Sequence, residues 1–207
     1  MDRSSIMKRA GRIGVAGTMA AALAGCISLG GEPPESLITL NSSASAPVGP
    51  GAQAGTENSA GPIRVFTPET PAKLDVLRVP VAVNETEIAY LQEAFWVEKP
   101  ARLFRRLLGE TLRARGNALV LDSDDTPTFA EQTLRGTLLE MGYDATSSSV
   151  LVRYDALRTN SDGLVQTRRF EASEDGVLPE AASVGPALNR AANTVAGEVA
   201  DWIAEAS

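Results

Sequence analysis

The run Ser149-Val150-Leu151-Val152-Arg153-Tyr154-Asp155-Ala156-Leu157-Arg158 decides how this chain folds. In an extended backbone Val150, Val152 and Tyr154 fall on one face, while Arg153 and Asp155 fall on the other. That period of two is the mark of a strand with one face in the core. Upstream, Ala145-Thr146-Ser147-Ser148 separates it from a long strand-like stretch, Thr133–Asp144. Downstream, Thr159-Asn160-Ser161-Asp162-Gly163 separates it from another, Leu164–Ala172. Both separators have the Asn, Asp, Ser and Gly chemistry of tight turns, so the three strands form an antiparallel meander.

Moving outward, the remaining segments supply more strands and two helices. Ser183 to Glu205 reads as a C-terminal helix, with Leu188, Ala192, Val195, Val199 and Trp202 on one stripe. Ala191, Ala196, Gly197 and Ala200 leave room for close approach to a sheet. Pro100 opens a second helix that ends at Gly116, the usual placement of proline inside the start and glycine past the end. Its apolar face carries Phe104, Leu107, Leu108 and Leu112. Arg102, Arg105, Arg106, Arg113 and Arg115 occupy the rest, as a solvated basic face. Ile63–Phe66, Leu77–Val83, Glu87–Leu91 and Leu119–Asp122 are shorter strands. Pro80 lacks an N–H and marks an edge or a bulge. The expected fold is therefore α+β: a mostly antiparallel sheet of about five to seven strands against two main helices, about 100–116 and 183–205.

Asn41 to Pro62 differs sharply from this. Of its 22 residues, 16 are Ser, Ala, Gly or Pro, too little apolar surface to offset the entropy of ordering. As a free coil it would span roughly 25 Å. The expected organisation is a signal peptide over 1–25, then 26–62 with a short strand near Ser36–Leu40 and a flexible segment, then a single globular domain over 63–207. Whether 36–40 joins the sheet is left to the structure.

The chain carries a net charge of −7 and no histidine. Without histidine the commonest general base and metal ligand are missing, and a Ser-His-Asp triad cannot form. Asp122-Ser123-Asp124-Asp125 lacks the glycine and twelfth-position glutamate of a calcium loop, and no glycine-rich phosphate loop occurs. The reading is of a non-enzyme with no metal and no cofactor. Residues 1–25 hold Arg3, Lys8, Arg9 and Arg12 against Asp2. Their removal leaves the rest near −10, a poor partner for nucleic acid.

That N-terminal segment runs from the basic cluster through a weakly apolar stretch, Ile13 to Ala24, to Leu23-Ala24-Gly25-Cys26. The layout is that of a secretory signal, too short to span a bilayer. The four residues resemble the bacterial lipobox, which implies cleavage before Cys26 and acylation of that cysteine, palmitate among the chains. Cys26 is the only cysteine. Several acyl chains would make membrane attachment effectively permanent. Ile27 stands where an aspartate would favour the inner membrane, so the sorting rule implies the outer membrane, at its periplasmic face.

The order of features resembles a family. After Cys26 come Ile63-Arg64-Val65, Leu77-Arg78-Val79-Pro80, Tyr90, then Phe95-Trp96-Val97-Glu98-Lys99-Pro100 leading into a helix. Arg169-Phe170-Glu171 closes the meander, and an alanine-rich helix with Asn189-Arg190-Ala191-Ala192 ends at Asp201-Trp202-Ile203. This is similar to the auxiliary lipoproteins of ABC-type transport systems, the group that accompanies MCE-domain lipid-trafficking proteins in Gram-negative bacteria. The family's Tyr-Tyr-x-Leu is here Leu37-Ile38-Thr39-Leu40. The resemblance implies a non-catalytic subunit partnered by a periplasmic MCE protein and, indirectly, by an ABC permease and ATPase. The machine would move phospholipid or another lipid between membranes, and copies of the chain could form a homo-oligomer. Phe95, Trp96 and Phe104 are its candidates for an exposed apolar contact with partner or lipid, each weighed against simple core packing. A second reading, favoured by the long tether, is an outer-membrane lipoprotein that activates a cell-wall synthase or serves as an envelope assembly factor.

Overall fold

A computed structural model of the chain describes residues 36–49, 60–115, 118–122 and 130–205, all within one unit that begins at Ser36. Its elements run in the order β1 Ala60–Val65, β2 Arg78–Ala82, β3 Ile88–Phe95, α1 Pro100–Arg115, β4 Ala118–Leu121, β5 Gln132–Asp144, β6 Ser149–Thr159, β7 Val165–Asp175 and α2 Ala181–Glu205. The seven strands make a single mixed sheet, and both expected helices are present. The signal segment and Cys26 lie outside the described residues.

The meander forms as its alternation requires. β5 pairs with β6, and β6 with β7, both antiparallel. Val150, Val152 and Tyr154 are fully buried beneath the helices. Each turn is closed by a side chain acting as backbone acceptor. Asp144 accepts from the Thr146 N–H at 2.8 Å, and Asn160 accepts from Asp162 and Leu164 at 3.1 and 2.8 Å. One extra residue, Leu139, bulges out of β5 opposite Tyr154 and Arg153. The slip of one position keeps Met141 and Tyr143 facing inward after Leu138.

The other edge of β5 is built from three pieces of one passing chain. β1 pairs parallel with its start, Ile63 against Gln132. Glu69 then bridges to Thr137, and β2 meets its far end, Val81 against Tyr143. Between the last two the chain leaves the sheet through a 3₁₀ turn at Ala72–Leu74, which plants Leu74 in the core. Lys73 ties the turn back to Glu140 of β5 at 2.6 Å. β4 extends the sheet beyond β1 by parallel pairing.

β2 and β3 form a hairpin closed by Asn84, whose side chain accepts from the N–H groups of Thr86 and Glu87. Pro80 sits at the irregularity its missing N–H foretells. Arg78 and Pro80 face Phe95 and Tyr90, so two residues of β2 span five of β3. Glu93, at a φ of 54°, turns the surplus out. β3 consequently reaches Phe95, four residues past its expected end at Leu91.

α2 lies across the inner face over β6 and β7, with α1 beside it. Its stripe of Leu188, Ala192, Val195, Val199 and Trp202 is buried, as are Ala191, Ala196 and Ala200. Arg158, only 2% exposed, points up from β6 to the C-terminal end of α2. It donates to the carbonyl of Ile203 at 3.1 Å, filling one of the last-turn acceptors that the helix itself cannot satisfy. Among the described residues no helix is long and apolar enough to cross a membrane.

Candidate functional site

The three aromatic residues of the Phe95–Pro100 region have separate fates. Phe104 is 0% exposed and Trp96 is 1% exposed. Phe104 meets Tyr154 edge-on at 5.2 Å between ring centroids, and burial pushes the Tyr154 phenol well above its ordinary pKa. Trp96 ends the β2–β3 wing and is sealed by Ile38, which bridges to it in parallel through two backbone bonds, Ile38 N–H to Phe95 O at 2.7 Å and Val97 N–H to Ile38 O at 2.9 Å. Of the two alternatives weighed for these residues, both take core packing: Phe104 lies against Tyr154 and Trp96 beneath the Ile38 bridge. Phe95 alone stays half-exposed. It shares the Arg78 guanidinium with Tyr90, at 5.7 and 5.4 Å from the two ring centroids.

Around Phe95 the wing presents a corner of unusual character. Leu37, Leu77 and Val97 are 50%, 46% and 50% exposed. Leu37 precedes the Ile38 bridge, Val97 follows Trp96, and the Leu77 carbonyl accepts the Trp96 N–H at 2.9 Å. Backbone pairing thus places Leu37 and Val97 on the same face of the wing as Phe95, Tyr90 and Arg78, where the described chain begins, while Leu77, opposite Trp96, belongs to the other face.

From this corner the N-terminal segment continues over the helices. Asn41 donates its N–H to Asn189 Oδ1 at 2.8 Å, and its carbonyl accepts from Asn193 Nδ2 at 2.9 Å. The Asn193 Oδ1 takes the Ser43 N–H at 2.7 Å, and Glu110 of α1 takes that of Ala46 at 3.0 Å. Residues 41–46 of the stretch expected to be flexible are fastened by these bonds, and 60–62 belong to β1. The serines and alanines bury little; their backbone is what the two asparagines hold. Asparagine is a weak helix former, so the one signal for this clasp in the residues is the pair four positions apart in α2.

The solvent face of the sheet carries a groove of about 750 Å³ lined by Phe66, Thr67, Arg135, Asp155, Thr167 and Arg169 among others. Arg135 stacks on Phe66 with 3.5 Å between guanidinium and ring centroid. Arg169 grips Asp155 with two bonds, 2.6 and 2.7 Å, which hold the Asp155 carboxyl below its ordinary pKa. Arg153 and Glu171 pair directly across the same two strands.

The basic face of α1 is engaged by the chain's own groups. Arg105 is buried and bonds Thr67 at 3.0 Å. Arg102 and Arg106 meet Glu98, Arg113 meets Glu110 and Asp122, and Arg115 reaches Asp201. Asp122 is thereby committed to Arg113; residues 123–125 of the acidic run lie outside the described residues. Among the described residues no cluster of three metal-ligating side chains occurs.

The family model for the ABC-type transport auxiliary lipoprotein component matches residues 43–200. Among solved structures, a Xanthomonas campestris protein of family DUF330 superposes with a TM-score of 0.68 at 14% identity, over 81% of this chain and 94% of that one. An uncharacterized protein superposes at 0.61 with 15% identity, over 73% and 96%. At these identities the likeness is one of fold. Among curated protein sequences none matches.

Proposed function

The chain belongs to the family of ABC-type transport auxiliary lipoprotein components, and on that premise we propose that it is the non-catalytic, lipid-anchored periplasmic subunit of an MCE-associated system carrying phospholipid or another lipid between inner and outer membranes. It is held by acylated Cys26 at the periplasmic face of the outer membrane. The observation that carries the reading is the family match across almost the whole folded unit, from residue 43 to 200. The Leu23-Ala24-Gly25-Cys26 signal supports the anchor. The site chemistry is consistent with binding: a polar groove of paired arginines and acids, and an apolar corner.

In this role the energy for transport comes from the ATPase, and the subunit contributes binding. The periplasmic MCE protein is its direct partner, the permease and ATPase its indirect ones. The test is affinity purification of the full-length lipidated protein from detergent-solubilised envelopes, with mass spectrometry of what accompanies it. An MCE-domain protein, with or without permease and ATPase, is the expected companion. A cell-wall synthase instead, with no MCE protein even after crosslinking in cells, would overturn the reading.

A further inference from the structure

The apolar corner of the β2–β3 wing has no occupant within the described chain. It is made by Leu37, Tyr90, Phe95 and Val97 around Arg78. We propose that this corner is a membrane-contact surface: it rests on the lipid bilayer to which the chain is anchored, and so fixes which side of the domain faces the lipid. The inference rests on the anchored reading given above and adds an orientation to it.

Three observations carry it. The first is where the chain outside the described residues ends. Ser36 is the first described residue, and Leu37, the next, is already part of the corner. Only nine residues separate Cys26 from Ser36, which bounds the reach at about 35 Å. The backbone bonds of Ile38 to Phe95 and Val97 then prevent the point of attachment from wandering over the domain surface.

The second is composition. Exposed aliphatic side chains beside Tyr and Phe, with an arginine lying over both rings, suit the boundary between hydrocarbon and headgroups. There aromatic rings settle, and a long cationic side chain can keep its charge in water while its stem is buried. The third is charge. Beyond Arg78 itself, the cations of the adjoining segments are paired: Lys99 with Asp75 at 2.8 Å, and Arg102 and Arg106 with Glu98. Glu93 is exposed on β3 itself. Contact is therefore apolar in origin and does not require anionic lipid. A patch of this size would bind a bilayer weakly by itself. A short tether makes the encounter intramolecular and raises its effective concentration.

Once Cys26 is acylated no other thiol remains, so an introduced cysteine is unique. The full-length lipidated protein carrying Val97→Cys, labelled with an environment-sensitive fluorophore, is reconstituted in phosphatidylethanolamine–phosphatidylglycerol vesicles. Ser161→Cys, in the turn between β6 and β7 beside the start of β5, is the control position. The expected result is a blue-shifted emission at position 97, with quenching by nitroxide-bearing lipid much stronger there than at position 161, and unchanged by salt. Adding Leu37→Ser, at an exposed position, should reduce the shift and the excess quenching several-fold while leaving the circular dichroism spectrum intact. Equal quenching at the two positions in protein shown by mass spectrometry to be acylated would overturn the corner alone. Shielding of position 97 only when a partner protein is added would also overturn it. Absence of acylation at Cys26 would remove the anchored reading, and this inference with it.

Discussion

The two edges of β5 are built on opposite plans. Along one, β6 pairs without interruption from Ser149 to Thr159, apart from the single bulge at Leu139. Along the other, β1, Glu69 and β2 arrive in succession, with a 3₁₀ excursion between the last two. The continuous edge follows from a four-residue turn and an alternating pattern, and it gives regular structure with cross-strand ion pairs on its outer face. The interrupted edge is assembled from segments about 60 to 70 residues away in sequence, and the features open to a partner gather on its side: Phe66 beneath Arg135, and the corner around Phe95. Regular pairing here supplies the scaffold, and the broken pairing supplies the surface relief.

Gly136 joins the two plans and offers the largest test. Its φ is 156°, its carbonyl accepts the Glu69 N–H at 2.9 Å, and on the other side it faces Ala156. An added Cβ would run into the Asp155 carbonyl oxygen and come within 2.7 Å of the Tyr154 ring. Gly136→Ala should cost about 3 kcal/mol, read from urea midpoints, and should weaken both edges together. A cost under about 0.5 kcal/mol would mean that the two edges tolerate independent adjustment.

Hydrogen exchange sharpens the same contrast without a mutation. Amides of β6 should exchange only through global unfolding. Those of Phe66, Glu69 and Val83, on the interrupted side, should exchange through smaller openings. Uniform protection would erase the distinction. Lys73→Ala removes the ion pair that ties the 3₁₀ turn to Glu140. It should lower stability by about 1 kcal/mol and speed exchange at Glu69, with little change in β6.

The smallest effect lies on the continuous edge. The bond from Arg169 holds the Asp155 carboxyl below its ordinary value of 3.8. A depressed carboxyl stabilises the fold above its unfolded pKa, and that contribution is lost as pH falls through the lower folded value. Asp155→Asn should therefore reduce the urea midpoint slightly at pH 7, and the gap to the parent should close on going to pH 2. A gap that persists at pH 2 would show that geometry, not charge, is what Asp155 contributes.

These differences also explain what could be read from the residues. The meander was legible because Val150, Val152 and Tyr154 alternate and the turns lie next to them. α2 was legible from its stripe, and Pro80 announced its bulge. The parallel partners of β1 and β2 were not legible, since nothing local to Ile63 or Val81 names a strand so far downstream. The same limit applied to Trp96. Its sequence neighbours suggest an exposed anchor ahead of a helix, and the strand that buries it comes from Ile38, 58 residues earlier. Phe104 carried its own answer in the helical spacing it shares with Leu107, Leu108 and Leu112. The family resemblance rested on the order of segments, and this is also what the family model captures. The corner around Phe95 needed coordinates, because Leu37 reaches Phe95 and Val97 only once Ile38 has bridged to Trp96.

The asparagine clasp on residues 41–46 has a mechanical side. Any pull on the N-terminal end of this chain arrives first at the two backbone bonds of Ile38, then at the bonds that Asn189 and Asn193 make to Asn41 and Ser43. Load applied at that end is thus met by an outer fastening that can let go and re-form before the sheet feels any strain, a shock absorber that leaves the core untouched.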